Sequence, residues 1–305
     1  VVAVFRLTSR SIVSIVAASA AAACSRPPGG GAVVRVDDWG RTVALAAPAR
    51  RIVSLAPATT ELVFALGLGD RLVGRTRFCE YPSAARAVPD VGDGIGPNVE
   101  AVAARHPDLV LLYASTANRA AADRFAALGI PTLALALDRT ADLRRAALLI
   151  GGLADAARAA DSLVAAFDSL RAAVVAEDGR RRGPRPKVYV DVWAQPPMTV
   201  GRGSYLQEIV SAAGGDNLFD DVRASSATVS LESIVRRDPD VILVLQADTL
   251  RVPDLASRPG WRAVRAVREG RILVVDGSLY GQPSPRMPLA ARDLAARLAR
   301  LGGAR

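Results

Sequence analysis

At 305 residues, half of them apolar and 23% charged, the chain is long enough to bury two domain-sized cores and too apolar to be disordered. The formal net charge is +9 at pH 7, and Lys187 is the only lysine, so the basic excess is arginine. Those arginines are scattered, with no stripe of basic and aromatic residues, which argues against a nucleic-acid partner.

In chain order, residues 1–23 read as a signal peptide. Arg6 and Arg10 form its basic start, 12–18 a short apolar run, and 19–23 a stretch of small residues. The apolar run is too short to span a bilayer comfortably. Cys24 follows at once, and the arrangement resembles a bacterial lipoprotein signal with Cys24 as the acylated residue and membrane anchor. Ala21 stands where that signal usually carries leucine, which leaves ordinary cleavage nearby open. Residues 24–32 (CSRPPGGGA) form a flexible tether. The one other cysteine is Cys79, so acylation of Cys24 would leave no disulfide.

From residue 33, strand and helix patterns alternate, which predicts an α/β fold with mainly parallel sheets. Residues 33–45 read as a hairpin, 51–55 as a strand, and 60–66 as a helix closed by Gly67. A strand starts at Leu72, and residues 118–128 and 132–137 read as a helix and a strand. Residues 141–186 form the linking segment, in which 141–177 are helical beyond the needs of one crossover and 178–186 (DGRRRGPRP) are a basic, breaker-rich boundary. Gly151 and Gly152 are expected to break the helical part, leaving 155–177 as a long helix that joins two lobes. The lobes are placed at 33–140 and 187–305. In the second, 187–192 is a strand, 193–204 (WAQPPMTVGRGS) a turn, 205–213 a helix and 216–228 a polar loop. Residues 261–267 are a helix, 271–275 a strand, 280–288 a loop, and 289–301 a final amphipathic helix.

One stretch occurs twice. Residues 98–112 (NVEAVAARHPDLVLL) align without gaps on 230–244 (SLESIVRRDPDVILV). Each copy reads as an N-capped short helix, a Pro-Asp turn and an apolar strand covered on both faces. The spacing exceeds any solenoid period and fits two similar lobes, each with a glutamate, Glu100 or Glu232, at the same corner.

RIVSLAPATTEL, GLGDRLVGRTRFCEYP and NVEAVAARHPDLVLL, followed by GSYLQEIVSAAGGDNLFDD, VSLESIVRRDPDVILV and PSPRMPLAARDL, resemble the periplasmic binding proteins of ABC importers for cobalamin, iron-siderophores and haem. The Glu-Tyr-Pro turn and the Pro-Pro-x-Thr-x-Gly loop are most similar to the cobalamin branch. The resemblance implies two Rossmann-like lobes joined by one rigid helix, with the ligand in the cleft between them. It further implies an exported monomer, periplasmic or at the cell surface, that delivers cobalamin or a related corrinoid to an ABC permease dimer. Glu100 and Glu232 match the residues that dock on the permease. Pro57, Phe78, Tyr81, Tyr113, Trp193, Met198, Ser226, Tyr280 and Arg286 are the candidate ligand contacts. Gly94 and Ser226, each six residues before its glutamate, stand where a cobalamin-binding member carries tryptophan.

No cofactor and no resident metal are expected. The sole histidine, His106, sits in the helix-ending His-Pro-Asp turn, where a structural role is expected. Ligation of haem would fall to Tyr81, Tyr113, Tyr280 or Cys79. Neither glycine-rich stretch completes GxGxxG, and no GxSxG, HExxH or CxxC pattern occurs, so the chain is not read as an enzyme. A ferric-siderophore or haem carrier, a two-lobed chelatase-like enzyme and a purely structural lipoprotein stay open as alternatives.

Overall fold

A computed structural model describes residues 32–179, 183–246 and 254–302. The expected signal peptide, Cys24 and all of the tether but Ala32 lie outside the described residues. The chain opens with a hairpin of β1 (Val33–Val36) and β2 (Thr42–Leu45). The first sheet follows, with β3 (Ile52–Ser54), α1 (Pro57–Ala65), β4 (Leu72–Arg75), α2 (Val99–Ala103), β5 (Leu109–Tyr113), α3 (Arg119–Ala127) and β6 (Thr132–Leu135). Its strand order is β4-β3-β5-β6, all parallel. Then come α4 (Thr140–Leu153) and the long α5 (Ala157–Asp178).

The second lobe starts with β7 (Lys187–Asp191), β8 (Trp193–Ala194), β9 (Pro197–Val200), α6 (Tyr205–Ala212), β10 (Asp216–Asn217) and β11 (Ser226–Thr228). It continues with α7 (Leu231–Arg237), β12 (Val241–Gln246), α8 (Arg265–Arg268), β13 (Ile272–Asp276), α9 (Gly277–Tyr280) and α10 (Met287–Gly302). Its parallel sheet runs β10-β7-β12-β13, and β11-β9-β8 form a separate antiparallel sheet.

The apolar runs explain how the sheets are covered. Along β5, Leu109 and Leu111 face one core while Val110 and Leu112 face another. Along β12, Val241 and Leu243 face the first of these cores, and Ile242 and Val244 face a third. Alternation with period two therefore buries both faces, as a parallel sheet between helices requires. The core shared by the two sheets is continuous. It runs from Leu62 and Leu111 through Ile150 on α4 and Phe167 on α5 to Leu206 and Leu294 of the second lobe. At roughly 1.5 Å per residue, the 22 residues of α5 give it about 33 Å, enough to lie along both lobes.

The internal repeat holds at the level of individual atoms. Asn98 Oδ1 accepts from the amide of Ala101 at 2.9 Å, and Ser230 Oγ from that of Ser233 at 3.1 Å. His106 and Asp238, which align, both have φ of +48° just before the proline. Asp108 accepts from the amides of Arg50 and Arg51, and Asp240 from that of Lys187, so each aspartate anchors the entrance to the first strand of its own sheet. His106 is exposed, and its carbonyl accepts from Arg51 Nε at 2.8 Å, a structural position as expected.

Several expectations need correction. Gly151 and Gly152 do not break a helix; both lie inside α4, and the break falls at 154–156, where Asp155 has φ of +55°. Close packing explains these glycines. A Cβ at Gly151 would meet Ala160 Cβ at 2.6 Å, and one at Gly152 would meet the Arg35 guanidinium at 2.5 Å. The segments read as a turn (193–204) and a polar loop (216–228) contain β8, β9, β10 and β11. These strands have two to four residues and are held by non-local pairing, which local propensity does not register. Residues 261–267 form a 3₁₀ turn followed by the single turn α8 rather than one helix.

Candidate functional site

Ligand clefts in parallel α/β sheets lie beyond the carboxyl ends of the strands. Pro57 follows β3, Phe78 and Tyr81 follow β4, and Tyr113 ends β5. In the second lobe Trp193 follows β7, and Arg286 lies in the segment after β13 and α9. The two carboxyl edges meet. Tyr205 N, at the start of α6, donates to the carbonyl of Asp138 at 2.6 Å. Glu208 of α6 accepts from the amide of Thr140 at 3.0 Å and from its hydroxyl. Deeper in, Glu61 of α1 receives both Arg286 and Gln282.

Large apolar groups are exposed along these edges. Phe78 is 59% exposed, Tyr81 46% and Trp193 63%. Aromatic rings left in water at the mouth of a cleft suit a large flat ligand. Phe78 stacks under Arg77, whose guanidinium carbon is 4.9 Å from the ring and which pairs with Asp93 at 2.9 Å. On the other side, the β8–β9 register sets Trp193 directly opposite Met198. Thr228 faces Met198 from β11, with exposed Ser226 two residues away on the same strand face. The indole N–H of Trp193 donates to the carbonyl of Gln195 at 3.0 Å, which holds the ring. Pro57 is half-buried at the first turn of α1.

Tyr113 is half-buried, and its hydroxyl donates to Asp138 Oδ1 at 3.1 Å. Burial, then the charge of Asp138, pushes its phenol up from the ordinary value. Tyr280 lies elsewhere. It is fully buried, and its hydroxyl donates to the carbonyl of Ala290 at 2.7 Å and to Asp293 at 2.8 Å, so the ring belongs to the core rather than to the cleft surface. Cys79 is fully buried with its sulfur 3.1 Å from Thr76 Oγ1. Of the four groups considered for haem ligation, this leaves Tyr81 and Tyr113 within reach of the cleft. Among the described residues, no cluster of three or more His, Cys, Asp or Glu side chains could hold a metal. A Cβ at Gly94 would sit 2.0 Å from the Leu55 carbonyl oxygen, so no larger residue, tryptophan included, fits there unless the β3–α1 turn moves.

Some residues of the site carried no expectation. Glu61 is one: α1 is buried on every side from Ala58 to Val63, and Glu61 is the acid in it. An acid in a helix without a polar face was the available signal. Asp191 is another. It ends β7 two residues before Trp193 and is buried, 3.7 Å from Arg258. Burial pushes its carboxyl up to about 6, against the opposing pull of Arg258. Among the described residues, its Oδ1, the Tyr189 hydroxyl, Thr199 Oγ1 and Arg258 Nη1 are buried without a hydrogen-bond partner.

Glu100 and Glu232 stand in the first turns of α2 and α7, with side chains 72% and 86% exposed. Glu100 pairs with Arg124. Its own backbone amide, then that arginine, draws the carboxyl below the ordinary value. Glu232 is 3.9 Å from Arg236.

A family model described as periplasmic binding protein matches residues 52–279. A vitamin B12-binding protein of Yersinia pestis (strain Pestoides F) is 31% identical over 255 residues, covering 82% of this chain and 87% of the relative. The chain belongs to the periplasmic binding protein family.

Among solved structures, the periplasmic haem-binding protein BhuT in complex with two haems is 25% identical, with a TM-score of 0.74 over 82% of this chain and 98% of that one. An ABC-type Fe3+-hydroxamate transport protein of Saccharomonospora viridis DSM 43017 is 25% identical, with a TM-score of 0.70 over 87% and 98%. The vitamin B12-binding protein BtuF of Vibrio cholerae, at 21% identity and a TM-score of 0.69 over 84% and 98%, shares the fold. This periplasmic binding protein is thus a solute-binding component of transport and not an enzyme, and the chelatase-like alternative is set aside. Family membership implies export to the periplasm. Among the described residues, no helix is long and apolar enough to cross a membrane.

Proposed function

We propose that the chain captures cobalamin or a related corrinoid outside the inner membrane and delivers it to an ABC importer. The observation that carries this reading is the exposed aromatic lining at both carboxyl edges, Phe78 and Tyr81 on one lobe and Trp193 beside Met198 on the other. Two apolar walls of this kind fit the faces of a macrocycle. The relatives named for vitamin B12 binding support it. In this reading 33–140 and 187–305 are the ligand-holding lobes and 141–186 is the segment joining them. The exposed Glu100 and Glu232 dock on basic pockets of the permease. Cys24 is acylated and tethers a monomer to the membrane.

Calorimetric titration of the purified protein with cyanocobalamin tests the ligand. The expected dissociation constant is nanomolar, about −12 kcal/mol. Absence of heat with cyanocobalamin, together with tight binding of haem or a ferric siderophore, would transfer the protein to another branch of its family. For the anchor, labelled palmitate supplied to expressing cells should enter the wild type and not Cys24→Ala; equal labelling of the two would sink the acylation.

A further inference from the structure

Among the described residues, Glu61 is the buried acid that joins the two lobes through a bidentate pair. Arg286 Nε donates to its Oε2 at 2.8 Å and Nη2 to its Oε1 at 2.5 Å, while Gln282 Nε2 donates to Oε1 at 2.6 Å. Nη2 also donates to the carbonyl of Ser278 at 2.6 Å, and the guanidinium carbon stands 3.7 Å from the centroid of the half-exposed Tyr81 ring. A guanidinium has five N–H donors in a fixed fork. Those on Nε and Nη2 are engaged, so Nη1 is the nitrogen left without a protein acceptor among the described residues. An ionised carboxylate only accepts, so Gln282 must turn its amide nitrogen toward Glu61. Its carbonyl oxygen is then left without a donor among the described residues. Arg286 and Gln282 are both half-buried, so neither is sealed from the cleft.

An unpaired arginine at the base of an apolar cleft would select a carboxylate. Here the charge is cancelled at contact distance, and what remains is the Nη1 group of Arg286, with its two N–H donors, and one carbonyl acceptor on Gln282. Both partners hang on the same Glu61 oxygen, which keeps them close. A primary carboxamide satisfies both, because it accepts through its oxygen and donates through its nitrogen. A carboxylate satisfies only the first. It also meets the repulsion of Glu61 and leaves the Gln282 carbonyl unpaired, and unpaired polar groups are what make such sites discriminate strongly.

We propose that Glu61, by neutralising Arg286 and orienting Gln282, makes this cleft selective for a carboxamide-bearing ligand over the matching carboxylate. The proposal rests on the corrinoid reading, since corrinoids carry primary amides around the ring where haem carries carboxylates. Glu61 is a positioning residue in this scheme, acting through Arg286 and Gln282.

The test compares matched ligands that differ in a single group. Competition calorimetry at pH 7.5 would use cyanocobalamin against the monocarboxylate made by hydrolysing one of its propionamides, and haem against its diamide. Wild-type protein should favour each amide by about tenfold or more, and Glu61→Gln should bring each ratio to within about threefold. The wild-type ratio needs no variant, so a folding defect in Glu61→Gln cannot mask the result. Equal affinity for amide and acid in the wild type, or an unchanged ratio in Glu61→Gln, would overturn the proposal. Haem diamide bound in preference to haem, with no binding of either corrinoid, would support Glu61 selectivity while removing the corrinoid reading. Binding of none of the four probes would remove both.

Discussion

A ring that is more than half exposed contributes little to its own fold and is available to a ligand. Trp193 and Phe78 meet that condition. Trp193→Ala and Phe78→Ala are each expected to weaken cyanocobalamin binding by about 10- to 100-fold, in the range of a stacked aromatic contact. Melting temperature should stay within about 2 °C of wild type, as for surface substitutions. Unchanged affinity in both variants would remove these rings from the ligand site. Tyr280 shows why the sequence misleads at single positions. Its place after β13 put it in the cleft, whereas the backbone turn of α9 carries its hydroxyl to α10.

Asp191 makes stability depend on pH. In the folded chain its carboxyl holds a proton up to about pH 6. Unfolded, it releases that proton near 4. Between those values the folded state binds more protons than the unfolded one, so this group's contribution falls as pH rises from about 4 to about 6 and is constant above. Asp191→Asn lacks that loss. Its unfolding free energy relative to wild type should therefore climb by about 1 to 3 kcal/mol over this window, read from urea midpoints. A difference that stays level from pH 4 to pH 7 would contradict the assignment.

Among the elements, the repeated helices were the most legible. Asn98 and Ser230 were readable as caps because capping is local, needing only a side-chain oxygen three residues before a free amide. Asn98→Ala should cost about 1 kcal/mol of unfolding free energy, measured by denaturant titration. An effect below about 0.3 kcal/mol would mean that packing alone holds α2. The glycines of α4 were misread for the opposite reason. Their meaning lies in what they touch, so Gly151→Val should push α4 off α5 and destabilise the protein by about 2 kcal/mol or more, as overpacking does. Retention of wild-type stability would show that the helices separate there at no cost. The strands β8, β9 and β11 are too short to be seen without their partners, yet they carry Trp193, Met198 and Ser226 into register.

On the scale of the whole molecule, the shared core from Leu62 through Phe167 to Leu294 couples the lobes. A continuous apolar core and a long joining helix favour small rotations and loop ordering over a wide hinge closure. In the proposed transport role, Glu100→Arg together with Glu232→Arg should abolish uptake in cells while cyanocobalamin affinity in solution is unchanged, because both carboxylates are exposed and neither is among the proposed ligand contacts. Uptake at the wild-type rate would release the two glutamates from docking.

The sequence by itself determined the alternating α/β organisation, the two lobes, the long joining helix, the repeated Pro-Asp corner and the family. Each of these is written in periodicity, in local capping or in a run of motifs in order. The tertiary structure alone decided that Glu61 meets Arg286 across a sequence separation of 225, that Asp191 is buried against Arg258, and that Tyr280 is core. Burial and pairing between distant residues have no local signature. They are set by which strand ends face each other, and so the chemistry of the cleft became legible only once the two sheets were brought edge to edge.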